Sequence, residues 1–356
     1  MTKSTQMEDN NSNKKKLTRK DFLRLSGSIV AGGAIAGVSG KLISDMVRRP
    51  DKLFFDAEGE TYDISDGDVT VSPYRRTTSL RTPAEIEAFD ICGDRMIAAS
   101  GGAVTFYTLD GKELDSFKTG TEVRDICVDK EEIYVLYPAR IEVFSQAGEM
   151  LRGWDACSDN SDYCSLTVTP TGVFVTDVFA KNICKYTRDG GLVKFIDSPN
   201  GFVIPSYCFA IASHNGTIYC SNAGRHIIES YTEDGKYITS FGQAGTATGS
   251  FCGCCNPVHL YISSAGEIIT SEKGIPRVSC YSTDGRFRSV LLNRRALGGG
   301  YDAYEARLSS DGQILAAGKH SLSVYKYDAS LAAENGSPAC EICGITSCPI
   351  RRGITV

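Results

Sequence analysis

A regularly repeated turn constrains the fold of this chain more than any other feature. Five turns of the Asp-Gly or Ala-Gly kind lie in the segments TLDGKELDSF, SQAGEMLRGW, TRDGGLVKFI, TEDGKYITSF and STDGRFRSVL. Their glycines follow one another at spacings of 37 to 50 residues and are Gly111, Gly148, Gly190, Gly235 and Gly285. Such turns between segments that alternate polar and apolar residues predict β-hairpins.

A second series of tight turns lies between these hairpins, at Gly172, Gly216, Gly266 and Gly312. Each repeat therefore holds four short strands, and a four-stranded repeat of this length is typical of propeller blades. We expect an all-β protein, a six-bladed β-propeller within residues 51–328. The six blades are predicted at residues 84–118, 121–155, 163–198, 206–242, 257–292 and 302–328. The last blade lacks a complete fourth strand, and a strand pair within residues 53–71 is predicted to close the ring.

One repeat carries a family resemblance. Residues 240–287, SFGQAGTATGSFCGCCNPVHLYISSAGEIITSEKGIPRVSCYSTDGRF, resemble an NHL repeat, with a Phe-Gly turn, a loop ending in Pro257, and strands joined by glycine turns. The likeness extends more weakly over blades two to four and spans roughly residues 84–328. It implies a six-bladed propeller, but no particular chemistry, because this scaffold hosts binding modules, lyases and lactonases.

The N-terminal residues 1–46 are predicted to lie outside the propeller, as an export signal or a membrane anchor. The segment TRKDFLR at 18–24 resembles a twin-arginine signal in which Lys20 replaces the second arginine. The weakly apolar run from Leu25 to Gly40 is short for a membrane span of about 20 residues. We expect a periplasmic or extracytoplasmic protein, with an ordinary secretory signal or an uncleaved anchor as alternatives. The twin-arginine route carries folded proteins, which is compatible with a cofactor inserted in the cytosol.

Six of the 14 cysteines fall in loops that enter an inner strand from the outer strand of the preceding blade. Such loops open on one face of a propeller, near its axis. These six are Cys157, Cys164, Cys208 and the FCGCCNP thiols Cys252, Cys254 and Cys255. Five others are predicted to lie in strands as packing residues. They are Cys92, Cys127, Cys184, Cys220 and Cys280.

Residues 329–356 form a Cys-rich tail with the sequence CEICGITSCPI. A Cys-x-x-Cys-Gly turn suits a tetrahedral iron or zinc site, and the Cys-Pro ending resembles that of ferredoxin motifs, although the full ferredoxin spacing is absent. Three tail thiols need a further ligand, so the tail is predicted to share a site with FCGCCNP. The predicted ligands of an iron-sulfur cluster, with zinc or mononuclear iron as the alternative, are Cys340, Cys343, Cys348 and one of Cys252, Cys254 and Cys255. Cys157, Cys164 and Cys208 are secondary candidates.

Disulfides are the alternative for the same thiols, because export to an oxidising compartment favours them. Adjacent Cys254 and Cys255 could form a strained vicinal bond. Pairing of Cys157 with Cys164, or of Cys340 with Cys348, would close short loops.

Enzymatic chemistry is the third alternative. Metal-dependent propeller enzymes use side chains at the axis, where we place His259, Asp90, Asp125 and Glu305 at or near the starts of inner strands. No Ser-His-Asp spacing or phosphate-binding glycine loop is readable. The protein is therefore expected not to be an enzyme by itself.

The leading functional prediction is an exported platform that carries a Cys-ligated metal or cluster and docks to a protein partner with its Cys-rich face, in a membrane redox assembly. The runner-up is a disulfide-stabilised propeller that binds a protein or glycan without metal. A metal-dependent lyase or hydrolase comes third. A net charge of -5 argues against nucleic-acid binding.

Overall fold

The computed structural model describes residues 53–55, 61–63 and 72–333. Strands β1 (Leu53–Phe55) and β2 (Thr61–Asp63) pair with each other in an antiparallel two-stranded sheet. The remaining strands, from residue 74 onward, form six antiparallel sheets of four strands each. The prediction of an all-β, six-bladed propeller is confirmed.

The first three blades each use four consecutive strands, here given from the axis outward as A to D. Blade one is β4 (Ile86–Cys92), β5 (Arg95–Ser100), β6 (Ala103–Thr108) and β7 (Glu113–Lys118). Blade two is β8 (Asp125–Asp129), β9 (Glu132–Tyr137), β10 (Arg140–Ser145) and β11 (Met150–Asp155). Blade three is β12 (Tyr163–Thr169), β13 (Gly172–Asp177), β14 (Asn182–Tyr186) and β15 (Leu192–Ile196).

Blades four and five follow the same order. Blade four is β16 (Ile211–His214), β17 (Thr217–Asn222), β18 (Ile227–Thr232) and β19 (Tyr237–Phe241). Blade five is β20 (His259–Ile262), β21 (Ile268–Glu272), β22 (Arg277–Tyr281) and β23 (Phe287–Leu292). Blade six takes three strands from the end of the chain, β24 (Glu305–Leu308), β25 (Ile314–Gly318) and β26 (Ser321–Tyr327).

The fourth strand of blade six is β3 (Tyr74–Arg81), which pairs with β26 along its length and closes the ring. The prediction that a strand pair within 53–71 closes the ring is wrong, because that segment contains the separate β1–β2 hairpin. The β3–β26 ladder runs from Tyr74 opposite Tyr327 to Arg81 opposite Ser321, with one irregularity between Val324 and Tyr325, and it is longer than the ladder between β1 and β2. Pairing with β3 covers the edge of β26, which would otherwise be open to pairing with another chain.

The repeated turn glycines are explained by contacts between neighbouring blades. Gly190 has a φ of +92°, and a Cβ there would lie 2.6 Å from the Trp154 ring of the preceding outer strand. Gly285 has a φ of +82° and meets Phe241 of the preceding blade in the same way. A side chain at these turns is therefore opposed both by the left-handed backbone and by the aromatic neighbour.

Among the described residues, helical structure is confined to three short segments. They are a 3-10 turn at Ala223–Arg225, α1 (Arg294–Leu297) and α2 (Ala329–Ala333). Within the described part of the chain, none of the helices has the length and apolar character needed to cross a membrane.

Candidate functional site

The start of each A strand pairs with the end of the neighbouring B strand, so both lie at one end of the propeller. In blade three Tyr163 pairs with Asp177, and in blade five His259 pairs with Ser271. The loops that enter the A strands and the loops that join B to C therefore share this end, which we call the thiol face.

Asn256 organises the FCGCCNP loop. Its side-chain nitrogen donates to the Cys252 carbonyl at 2.6 Å and to the Lys273 carbonyl at 2.8 Å, while its side-chain oxygen accepts from the Lys273 backbone at 2.9 Å. The peptide between Asn256 and Pro257 is cis. These bonds tie the loop to the end of strand β21 and divide its three thiols between two environments.

Cys252 points into a buried ion pair. Its sulfur lies 3.8 Å from a carboxylate oxygen of Glu272, which pairs with Arg277 at 2.7 Å. Glu272 is fully buried and the Arg277 side chain is 4% exposed. Burial, followed by the Glu272 charge, raises the pKa of Cys252 to about 12. This thiol is neutral and packed.

The other two loop thiols meet Cys208 and Lys273 in a group that we call the rim cluster. The sulfurs of Cys254 and Cys255 lie 3.3 Å apart, and the Lys273 ammonium lies 3.5 Å from the Cys208 sulfur. Cys208 and Cys255 are buried, whereas Cys254 is half-buried.

The rim cluster favours one thiolate. Hydrogen bonds from Cys208 and then Cys254 lower the pKa of Cys255 below its ordinary value, with a further contribution from Lys273. The pKa of Cys208 is raised, first by its bond to Cys255 and then by burial. A thiolate beside an ammonium is the form that acts as a nucleophile or metal ligand.

The two remaining candidates in the described chain lie in blade three. Cys157 has its sulfur 3.7 Å from that of Cys184, and an Asp177 oxygen completes a group whose ligand atoms all lie within 4.8 Å of one another. The prediction that Cys164 lies in the entering loop is wrong, because it is the second residue of β12, at an irregularity in the β12–β13 pairing, where it donates to the Tyr207 carbonyl at 3.0 Å.

The predicted thiols therefore lie in separate groups rather than in one site. Three residues that were not predicted as ligands belong to these groups. Cys184 was expected only to pack, and neither Asp177 nor Lys273 was singled out. The position of Asp177 was predictable from the blade order, because the end of a B strand lies beside the start of an A strand. The tail thiols Cys340, Cys343 and Cys348 lie outside the described residues.

A cavity of about 460 Å³ lies where the inner strands converge on the axis. Arg307 crosses it and donates to Asp90 at 2.8 Å, to Glu305 at 2.7 Å and to the Phe89 carbonyl at 2.8 Å. The four axial side chains predicted from sequence all line this cavity. They are Asp90, Asp125, His259 and Glu305.

Three of the four axial side chains have shifted protonation equilibria, and burial raises the pKa of the first, Asp90, above its ordinary value. Burial, reinforced by the Glu305 charge, raises the pKa of Asp125 to about 7, although Ser165 donates to this carboxylate at 2.6 Å. Burial lowers the pKa of His259 below its ordinary value. The cavity therefore combines a carboxyl group that titrates near neutral pH with an imidazole that favours its neutral form.

No protein-family profile and no curated protein sequence matches this chain. Among solved structures, it is similar to a catalytically inactive histidine-to-alanine variant of virginiamycin B lyase from Staphylococcus aureus with quinupristin. The identity is 15%, the match covers 71% of this chain and 99% of that one, and the TM-score is 0.51. A streptogramin B lyase structure is 14% identical, with 72% and 97% coverage and a TM-score of 0.50. At these identities the likeness supports the propeller fold alone, and the NHL resemblance stays a prediction.

Proposed function

We propose that this protein is an exported propeller platform whose rim cluster, together with the tail cysteines, holds a thiolate-bound metal or iron-sulfur cluster. The observation that carries the proposal is the convergence of Cys208, Cys254 and Cys255 beside Lys273. Soft thiolate ligands select zinc and iron-sulfur clusters. The described thiols alone leave a ligand set incomplete, and Cys340, Cys343 and Cys348 are the natural donors of the rest.

Of the three FCGCCNP thiols, we propose only Cys254 and Cys255 as metal ligands. Cys252 is neutral and occupied by the Glu272–Arg277 pair, so Cys255 and its neighbours Cys254 and Cys208 are the proposed donors. The cluster would lie on the thiol face, whose loops also carry exposed Phe179 and Tyr207. These side chains suit a protein partner in an extracytoplasmic, membrane-associated redox assembly.

The test is anaerobic purification of the full chain from the cytosol, followed by a visible spectrum and iron, zinc and sulfide analysis. We expect bound metal in the wild type and its loss in Cys255→Ser and in Cys343→Ser. Cys280→Ser is the matched control, because this thiol is buried in β22 and contacts the Tyr281 carbonyl. A metal-free wild type, or a Cys255→Ser variant that keeps all of its metal, would refute the proposal.

A second candidate function is proton-transfer chemistry in the axial cavity, as in a lyase or hydrolase. The specific observation in its favour is that one cavity holds both Asp125, whose pKa is raised to about 7, and His259, whose pKa is lowered by burial. Groups whose environments move their pKa values toward the operating pH are typical of general acids and bases. Screening of cyclic esters and lactones with wild type and His259→Gln tests it, and turnover that His259→Gln leaves unchanged would remove this candidate.

A further inference from the structure

The blade three pocket, formed by Cys157, Asp177 and Cys184, lies apart from the rim cluster. Its three residues come from three segments: the loop before β12, the end of β13 and the middle of β14. One ligand atom of each residue lies within 4.8 Å of the others. Cys184 and Asp177 are fully buried, whereas Cys157 is half-buried.

Asp177 has an oxygen with no partner. Its Oδ1 accepts from the backbone of Asp162 at 3.2 Å, of Phe179 at 2.9 Å and of Ala180 at 3.0 Å. Its Oδ2 is buried and makes no hydrogen bond in the described structure. A buried carboxylate oxygen without a partner is costly, so Oδ2 points to a positively charged or donating group that completes the pocket.

The equivalent position in blade five has such a group. Glu272 ends β21 as Asp177 ends β13, and the residue paired with Glu272 across the ladder is Arg277, which neutralises it. The residue paired with Asp177 is the uncharged Asn182. Within residues 72–331, no ion pair involves Asp177. Blade three therefore has the carboxylate without the built-in cation.

The two sulfurs have the separation that a shared metal ion requires. At a Zn–S distance of about 2.3 Å and tetrahedral geometry, two thiolates lie about 3.8 Å apart. The Cys157 and Cys184 sulfurs are 3.7 Å apart. A disulfide would need them at about 2.05 Å, so the side chains as placed suit an ion between them better than a bond.

We propose that the blade three pocket is a mononuclear site for a thiophilic divalent cation of the zinc type. Cys157, Cys184 and Oδ2 of Asp177 are its protein ligands, and water reaching the half-buried Cys157 side supplies the fourth. Binding displaces the two thiol protons and forms two metal–sulfur bonds, with no change in oxidation state. The three backbone donors on Oδ1 orient the carboxylate, as outer-shell partners do in metal sites.

The site is independent of the rim cluster, and the experiment separates the two. The starting protein carries Cys255→Ser and Cys343→Ser, which remove one proposed ligand from the rim cluster and one from the tail and are each expected to abolish metal binding there. The probe is Co²⁺ added alone to the reduced, metal-free protein, read by its thiolate charge-transfer absorption and by the number of equivalents bound. We expect one equivalent of tetrahedral Co²⁺, displaced by Zn²⁺.

Adding Cys184→Ser should abolish the charge-transfer bands, and Asp177→Asn should weaken Co²⁺ binding by about tenfold or more. Cys220→Ser is the matched control, because this thiol is buried in β17 of the next blade and should leave binding unchanged. If Cys184→Ser does not fold, Cys157→Ser and Asp177→Asn carry the test. No Co²⁺ equivalent in the starting protein, binding that survives Cys157→Ser, or a Cys157–Cys184 disulfide in the purified wild type would each overturn the proposal.

Discussion

Blades three and five place a buried carboxylate at the same position of the repeat, the end of strand B, and surround it differently. In both blades a cysteine from the entering loop faces the carboxylate, Cys157 toward Asp177 and Cys252 toward Glu272. In blade five the carboxylate is neutralised by a cation of the protein itself, the guanidinium of Arg277. The comparison teaches that two positions in strand C decide between a closed ion pair and an open ligand set, since Arg277 and Ser279 lie where blade three has Asn182 and Cys184.

The largest expected effect comes from breaking the ion pair in blade five. Glu272→Gln removes the charge that compensates Arg277, and loss of one partner of a buried pair costs about 3 kcal/mol or more. Arg277 still donates to the carbonyls of Thr246 and Ala247, which limits the loss. Urea unfolding measures the change in free energy of unfolding. A change below about 1 kcal/mol would mean that Arg277 is not the group that holds this carboxylate.

A third buried carboxylate, Asp125 of blade two, should make the stability of the protein depend on pH. Its pKa is raised from 3.8 to about 7 in the folded protein, so the folded state binds the proton more tightly than the unfolded chain. This contribution to stability is full below the unfolded value and is lost as pH rises toward 7, at up to about 1.4 kcal/mol per pH unit. Asp125→Asn should remove that slope.

Urea unfolding of wild type and Asp125→Asn across this pH range gives the two profiles. The readout is the difference between their slopes rather than the absolute stability, since the variant also changes the bond from Ser165. Parallel profiles would show that Asp125 does not titrate near neutral pH.

Asp177→Asn is the blade three counterpart of Glu272→Gln, and in metal-free protein it should change the free energy of unfolding only slightly. The asparagine keeps an oxygen for the three backbone donors, and no buried cation is left without a partner. We therefore expect the free energy of unfolding to fall by about 1 kcal/mol or less. With Zn²⁺ present, the wild type should gain more stability than Asp177→Asn, because the ion binds the folded state and the variant holds it more weakly. A metal-free loss as large as that of Glu272→Gln would point to an unrecognised partner for Asp177.

The smallest effect is expected at Cys252. Cys252→Ser should change the free energy of unfolding by less than about 1 kcal/mol and leave metal content unaltered, because this thiol is neutral and packed against Glu272. Metal analysis beside Cys255→Ser provides the contrast. Loss of metal in Cys252→Ser would place this thiol back among the ligands.

Much of the fold was predictable because each blade is a local unit with its own turn chemistry. The Asp-Gly turns marked the outer hairpins, and the six predicted blade ranges contain every observed blade strand except β3. The closing strand was not predictable in the same way. Residues 53–71 and 74–81 both contain strand-like segments, and only pairing with β26, at the other end of the chain, distinguishes them.

The candidate sites were predicted in part. His259, Asp90, Asp125 and Glu305 line the axis as expected, since the starts of inner strands must lie there. Lys273 was not predictable as a site residue, because a lysine after a strand is common and belongs to no motif. Its role depends on its approach to Cys208 from 65 residues away in the chain.

By itself, the sequence determined the repeat, the number of blades and the face on which the loop thiols lie, because turn residues and strand alternation act over a few neighbouring positions. Only the tertiary structure decided which thiols meet. Asn256 turns Cys252 away from Cys254 and Cys255, and ladder register brings Cys184 and Asp177 to Cys157. These placements depend on hydrogen bonds and packing between distant segments, which no local pattern records.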